Sequence, residues 1–344
     1  TEAELVADDE QRIEVRFRIG ELWRSHLEDP TQAIEIYRDI LSEVPHHQPT
    51  LGALTAMTTD AVEPLAAAEV LEEVHLAAGE YRKLAEAREV KVRFTEDPAD
   101  QAQMLQELAE IYEIQLEDLP SAFGAFVRAL PLDNRNDLTL SSLERLAEQT
   151  GRWHEVASRY DEEVQKKKEE FPEEVVHLGR RSAVINEVQL DDVDGAISRY
   201  QFVVDLDPSD VASIEALDRL YEQTERWDDL AATLQMEAAV ATTPEDVLNL
   251  QFRTGQLFQN QLANMESAIS QYREILAAAP EYSPAVSALE EMFASGVRPL
   301  EVGEVLEPLY RMQGNWDQLL NVQEVQVEHQ NDPIERVVMM HRLA

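Results

Sequence analysis

The chain has 344 residues and a formal net charge of −40, from 69 acidic and 29 basic residues. This balance argues against nucleic-acid partners, because the phosphates would be repelled, and it suits basic protein partners. The absence of cysteine excludes disulfides, thiolate metal sites and cysteine nucleophiles. No apolar run approaches the length of about 18 residues that spans a membrane, so we expect no membrane insertion. Sparse glycine (11 residues) and few aromatic residues (6%) favour an all-α protein.

One sequence pattern recurs four times along the chain. Its marker is Leu27-Glu28-Asp29, with equivalents that begin at Leu116, Leu190 and Leu262. Around each marker stand four columns: small residues (Gly20, Ala109, Ala183, Gly255), alanines (Ala33, Ala122, Ala196, Ala268), aromatics (Tyr37, Phe126, Tyr200, Tyr272) and leucines (Leu54, Leu143, Leu217, Leu289). An alanine and an aromatic four residues apart share one helix face, where the small side chain lets a neighbouring helix approach. The columns therefore predict the packed faces of helices.

A second marker places an aromatic residue two positions after a turn. It reads Gly-x-aromatic at Gly79–Tyr81, Gly151–Trp153 and Gly314–Trp316, and Glu225 replaces the glycine before Trp227. Glycine ends one helix and the aromatic begins the next, which is typical of an antiparallel helical hairpin. Each unit therefore holds two hairpins of roughly 35 residues.

The pattern resembles the tetratricopeptide repeat. Two sets of residues carry the resemblance, one for each hairpin type: Gly20, Trp23, Ala33, Tyr37 and Pro45, and then Leu143, Ala147, Gly151, Trp153 and Tyr160. The resemblance implies a right-handed superhelical solenoid of about eight hairpins, with ligand contacts from the first helix of each. The chain departs from the family in three places, where Asn134 replaces a proline, Asn186 an aromatic and Glu225 a glycine. The first hairpin type also has one extra residue in its turn.

A longer period of 235 residues lies above the units. It maps Pro64 onto Pro299 and Phe17 onto Phe252, and it predicts an added short helix near Pro49–Met57 and Pro284–Phe293. We expect one continuous array over residues 1–344, with units at about 10–98, 99–172, 173–245 and 246–334. Residues 1–6 align with the end of a hairpin helix and residues 336–344 with the start of one, and neither end carries the polar cap of a terminal repeat. We therefore expect this chain to be a segment of a longer array.

No motif for catalysis, a metal or a cofactor stands out. The acidic run Asp192–Gly195 does not fit the spacing of a calcium loop and occupies a hairpin turn, so we interpret it as turn chemistry. His46 and His47 are adjacent in a loop after Pro45, where they cannot easily bind one metal together. We expect no enzyme activity in this segment.

Candidate ligand contacts come from the resemblance, carried over by register onto solvent-facing positions of the first helices. The candidates are Arg24, Glu110, Arg145, Arg180, Arg219, Phe252 and Arg311. Arg145 and Arg219 occupy one column and could bind a carboxylate or an acidic peptide through bidentate hydrogen bonds. The alternative is that these arginines pair with glutamates of the next helix. The lysine and asparagine pattern with which some family members hold a peptide C-terminus is missing.

The sequence favours a non-catalytic scaffold that binds partner proteins or extended peptide segments on an acidic surface. Two alternatives remain open. One is a regulatory or sensor region of a larger enzyme or of a secretion or motility machine, and the other is a self-assembling structural array. The sequence leaves the cellular compartment open.

Overall fold

The computed structural model of the chain describes residues 9–27, 29–330 and 332–343. All regular secondary structure in these residues is helical and forms nineteen helices, which confirms the expected all-α class. The helices fall into two compact units, Thr1–Leu178 and Gly179–Ala344. The alignment of residues 1–6 and the marker residue Glu28 lie outside the described residues. The single continuous array, its handedness and the number of repeats stay predictions.

The first unit begins with ten helices, the last of which crosses the boundary between the units. They are α1 (Asp9–Ser25), α2 (Pro30–Glu43), α3 (Gln48–Thr59), α4 (Pro64–Ala78), α5 (Tyr81–Phe94), α6 (Pro98–Glu110), α7 (Leu119–Ala129), α8 (Asp137–Thr150), α9 (Trp153–Lys167) and α10 (Pro172–Val184). The second unit continues with α11 (Val193–Leu206), α12 (Val211–Gln223), α13 (Trp227–Val240), α14 (Pro244–Asn260), α15 (Met265–Ala278), α16 (Ser283–Ala294), α17 (Pro299–Gln313), α18 (Trp316–His329) and α19 (Pro333–Leu343).

The first marker is a helix stop followed at once by a helix start. Its third residue is the N-cap of the next helix, and its side chain accepts a backbone N–H bond three residues on; these caps are Asp29, Asp118, Asp192 and Asn264. A carboxylate or amide oxygen there satisfies one of the N–H groups that a helix start leaves unpaired. Asp192 accepts from the Gly195 N–H at 3.0 Å. The acidic run is therefore a helix cap.

The extra residue of the first hairpin type is taken up by the preceding helix. α6 and α10 each continue into a π-helical turn, Ile111–Gln115 and Ile185–Gln189, closed by backbone bonds that reach back five residues. Two residues after each π turn, Glu117 and Asp191 adopt left-handed backbone with φ of 52°. Such turns mark an inserted residue in an α-helix and often lie at functional positions.

The second marker uses left-handed backbone at its first position. Gly79, Gly151 and Gly314 have φ between 66° and 70°, where glycine avoids the clash that a Cβ atom causes. Glu225 adopts the same conformation with φ of 55° although it has a side chain. The substitution at this position therefore leaves the turn unchanged and stores backbone strain there.

The 235-residue period appears in the backbone as well as in the sequence. α3 and α16 occupy the positions of the two expected added helices. Each is followed by a pair of left-handed residues, Ala61 and Glu63 after α3 and Gly296 and Arg298 after α16. The same turn therefore leads from the added helix into the next hairpin in both places.

The small and aromatic columns contact each other directly within each unit. A Cβ atom built on Gly20 would lie 2.5 Å from Cε1 of Tyr37, and one on Gly255 would lie 2.5 Å from Cε1 of Tyr272. Both tyrosines are fully buried, and so are the four alanines of the alanine column. The columns thus set how closely the two helices of a hairpin pack.

Candidate functional site

Arg145, on α8, is held by a bidentate ion pair. Its two guanidinium nitrogens donate to the two carboxylate oxygens of Glu113 at 2.5 and 2.8 Å. Glu113 lies in the π-helical turn that ends α6, so the pair links the first helices of two successive hairpins. The hydrogen bond to Glu113 raises the pKa of the Arg145 guanidinium. Both side chains keep contact with solvent, and such exposed pairs contribute only about 0.2–1 kcal/mol.

Arg219, on α12, repeats this arrangement in the second unit. It pairs with Glu187, in the π-helical turn after α10, at 2.7 Å. Glu187 also accepts a hydrogen bond from the hydroxyl of Tyr200 at 3.1 Å. Burial and the Glu187 carboxylate raise the pKa of that hydroxyl, which keeps it a donor. Each arginine of this column therefore pairs with a glutamate of the preceding hairpin, not the following one.

An exposed aliphatic side chain follows each of these glutamates. Ile114 is 66% exposed and Val188 is 63% exposed, and the two positions are equivalent in the repeat. Large aliphatic side chains are costly to leave in water, and several kcal/mol are gained when a partner covers them. We call Glu113, Ile114 and Arg145 the first patch, and Glu187, Val188 and Arg219 the second patch. Each patch lies within one unit.

The remaining predicted arginines are also paired with carboxylates. Arg24 donates to Glu21 at 2.7 Å on its own helix. Arg180 donates at 2.7 Å to Asp210, the N-cap of α12. Arg311 donates to Glu307 at 2.6 Å. These three arginines are tied to helix caps or to neighbours on the same helix.

Phe252 and Glu110 have opposite surroundings. Phe252 packs into the core, with its ring 5.7 Å from that of Tyr272 and 5.9 Å from that of Tyr282. Its equivalent in the first unit makes the matching contacts, since the ring of Phe17 lies 5.9 Å from that of Tyr37. Glu110 is exposed at the end of α6, one turn before Ile114. The structure thus brings Glu110 and Arg145 to the first patch, while Phe252 belongs to the packing of its hairpin.

Sequence reasoning missed Ile114 and Val188. Both stand in a column whose other members are the polar Ser25 and Asn260, so an aliphatic residue in a column that is otherwise polar is the signal that the sequence offered. The π-helical turns in which they lie each accommodate one inserted residue, and this extra residue is visible in the spacing of the first marker.

Among the residues that the structure describes, no group of three or more metal-ligating side chains converges. No helix in the described part of the chain is long and apolar enough to cross a membrane.

Consecutive helices joined by short capped turns, with repeated side-chain columns between them, define an all-α helical-repeat protein. Residues 213–248, which include most of α12 and all of α13, match the family model of the tetratricopeptide repeat. The same pattern of two helices joined by a capped turn recurs along both units. The chain thus contains a sequence that matches a tetratricopeptide repeat at residues 213–248, and its recurring hairpins resemble this family.

Several solved structures are similar to this chain. One is the tetratricopeptide-repeat protein YrrB, with 13% identity over 59% of this chain and 98% of that one and a TM-score of 0.31. The C-terminal part of a repeat protein from Cytophaga hutchinsonii shares 10% identity over 73% and 97%, with a TM-score of 0.33. PilF of Pseudomonas aeruginosa shares 15% identity over 67% and 98%, with a TM-score of 0.31. No curated protein sequence matches the chain.

Proposed function

We propose that this chain is a non-catalytic scaffold that binds partner proteins, and that the first and second patches are contact points for the partner. The observation that carries the proposal is the recurrence of one surface in both units: an exposed aliphatic residue beside a bidentate or single arginine–glutamate pair on a π-helical turn. Packing alone does not require an aliphatic side chain at either position.

The chemistry of a patch suits an extended segment of a partner protein. An apolar side chain of the segment covers Ile114 or Val188, and its neighbouring polar groups exchange hydrogen bonds with the arginine–glutamate pair. Because the arginine of each pair is exposed while the glutamate is half-buried, a ligand carboxylate can compete for the arginine from the solvent side. The net charge of −40 attracts a basic partner over a distance and speeds its association at low salt.

The test is quantitative co-purification of partners from cells of the source organism with the intact chain and matched variants. We expect Ile114→Asp with Val188→Asp to lose most of the specific partner, because an aspartate there adds a charge that the partner must desolvate. Leu76→Asp serves as the control, since Leu76 is an exposed leucine (54%) away from both patches.

Two results contradict the proposal. One is equal partner recovery by the intact chain and the double aspartate variant. The other is an equal loss with Leu76→Asp, which would indicate a general effect of added charge. Charge reversal at Arg145 and Arg219 separates the two elements of a patch: it should weaken the partner less than the aspartates do if the aliphatic contact dominates. Thermal unfolding of every variant confirms that the fold is kept.

A further inference from the structure

The second hairpin of each repeat unit has an acidic residue at the same position, so this position occurs four times within the chain. The four hairpins are α4–α5, α8–α9, α12–α13 and α17–α18. Nine residues before the aromatic that begins the second helix stands an acidic residue; the four are Glu72, Glu144, Asp218 and Glu307.

In three hairpins the second helix supplies this acid with a hydrogen-bond donor, always seven residues after the aromatic. The bonds are Arg88 Nε to Glu72 Oε1 at 2.8 Å, the Tyr160 hydroxyl to Glu144 Oε1 at 3.2 Å, and Gln323 Nε2 to Glu307 Oε1 at 3.0 Å. Guanidinium, phenol and amide differ in chemistry, and each donates one hydrogen bond at this place.

The hairpin α12–α13 lacks that donor. Its equivalent residue is Leu234, which is fully buried and purely apolar. Asp218 still receives a charged hydrogen bond through Oδ2 from Arg253 of α14. Its other oxygen, Oδ1, is buried and has no hydrogen-bond partner. An unpaired buried carboxylate oxygen carries a free-energy cost, and this one needs a proton donor.

The same hairpin has a second acid without a donor, Glu237. In the hairpin α8–α9 the equivalent Glu163 is buried and pairs with Lys166 at 2.7 Å, three residues further on. The equivalent of that lysine is Val240, so Glu237 loses its cation. Its Oε2 atom is buried without a partner, and the Asp218 carboxylate on α12 is near enough to raise the pKa of Glu237.

We propose that Glu237 keeps its proton in the folded protein and donates it to Asp218 Oδ1, and that this hydrogen bond helps to hold α13 against α12 and α14. A single O–H···O bond between the two groups would satisfy both orphaned oxygens and leave one negative charge in place of two. Two neighbouring carboxyl groups retain a shared proton because the second ionisation would place like charges side by side. This proton is independent of the proposed scaffold function.

The surroundings of Glu237 favour the protonated form. Burial, followed by the Asp218 carboxylate, raises the pKa of Glu237, while Arg253 acts in the opposite direction. Glu215, on α12, adds negative charge, and Asp246, on α14, lines the same cavity of about 450 Å³. Arg253 is itself shared, because it also pairs with Glu222 at 2.7 Å. The charges that face Glu237 from α12 and α14 are thus mostly negative.

The proton makes the stability of this junction depend on pH with a definite sign. A carboxyl group whose pKa is raised by folding takes up a proton as the chain folds. Its contribution to stability is complete below the ordinary glutamate value of 4.5 and is lost as the pH rises through the raised value. A salt-bridged carboxylate has the opposite dependence, so the two cases can be told apart.

Hydrogen exchange of the intact chain tests the proposal, read by mass spectrometry on peptides from α13 and α14 and corrected for the intrinsic rate at each pH. We expect protection in these helices to fall as the pH rises from about 5 to 8, by up to about tenfold per pH unit, the limit for one linked proton. Glu237→Gln should abolish this fall, because its amide donates to Asp218 at every pH. Glutamine is also the residue at the equivalent buried position, Gln326.

Asp218→Asn is a second variant, which keeps the proposal testable if Glu237→Gln does not fold. It weakens the contact with Arg253 and so lowers protection overall. It also removes the negative charge beside Glu237 while leaving Glu237 partly buried, so the pH dependence should become weaker. Glu110→Gln removes an exposed acid of the first unit and should leave the dependence unchanged. The proposal is wrong if Glu237→Gln and the unmodified chain lose protection in parallel with pH, or if protection in α13 and α14 rises with pH.

Discussion

Replacing Gly20 by alanine tests the packing of the small and aromatic columns with a single methyl group. The new Cβ would lie 2.5 Å from Cε1 and 3.1 Å from Cδ1 of Tyr37. The ring has little freedom to move away, because Tyr37 is fully buried and its hydroxyl donates to Glu21. Overpacking of this kind costs about 1–3 kcal/mol. Alanine in place of glycine returns up to about 1 kcal/mol of helix propensity.

With the full propensity gain, the expected net effect is a loss of up to about 2 kcal/mol, which corresponds to a Tm lowered by up to about 8 °C for a unit of this size. Gly124→Ala is the matched control. Gly124 lies inside α7, and no atom lies within 4 Å of its added Cβ, so that variant should gain about 0.5–1 kcal/mol. Urea and thermal unfolding followed by circular dichroism measure both. A shift of the two variants in the same direction would refute the assigned packing.

Three further predictions concern the turns, the caps and the acid response. Glu225→Gly should stabilise the chain by about 0.5 kcal/mol and Gly151→Ala should destabilise it by about 1 kcal/mol, because both positions have left-handed backbone; opposite signs in urea unfolding are the check. Asp118→Ala should cost about 0.5–2 kcal/mol, since the carboxylate caps α7, and an unchanged unfolding midpoint would contradict this role. Burial opposes ionisation of Glu72, but its hydrogen bonds from Lys91 and a neighbouring arginine outweigh burial and lower its pKa. Its stabilising contribution is therefore present above pH 4.5 and lost on acidification, so Glu72→Gln should flatten the fall in Tm at acidic pH.

The sequence was sufficient to predict the helices, the turns and the columns that pack. Ala33 and Tyr37 recur at fixed spacing because burial leaves few choices at a close helix contact, so the pattern survives in every unit. The period of 235 residues also relates aromatic contacts, since the rings of Phe17 and Phe252 pack against equivalent tyrosines. Core positions are visible in a sequence when the same steric requirement is repeated.

The candidate site was less visible for a physical reason. Arg145 and Arg219 were selected by register, but register does not give the direction of a long side chain, and each arginine turns back to a glutamate 32 residues earlier in the chain. Phe252 was assigned to the surface although an aromatic side chain gains more from the core. The two exposed aliphatic residues of the patches lie in π-helical turns. Such a turn rotates the helix face, and a pattern based on 3.6 residues per turn does not predict that rotation.

Repetition within one chain also explains why the α12–α13 hairpin can carry an unusual acid pair. Three hairpins supply the acid position with guanidinium, phenol or amide donors, so the fold accepts any donor of suitable reach. With Leu234 at the donor position, the structure retains its backbone geometry and leaves Asp218 Oδ1 without a donor. A protonated Glu237 carboxyl group can replace the missing donor side chain, and the pH of the solvent controls whether that group is protonated. Leu234→Gln, which restores an amide at the donor position, should therefore weaken the dependence of this junction on pH, whereas the same substitution would change nothing if Asp218 were already satisfied.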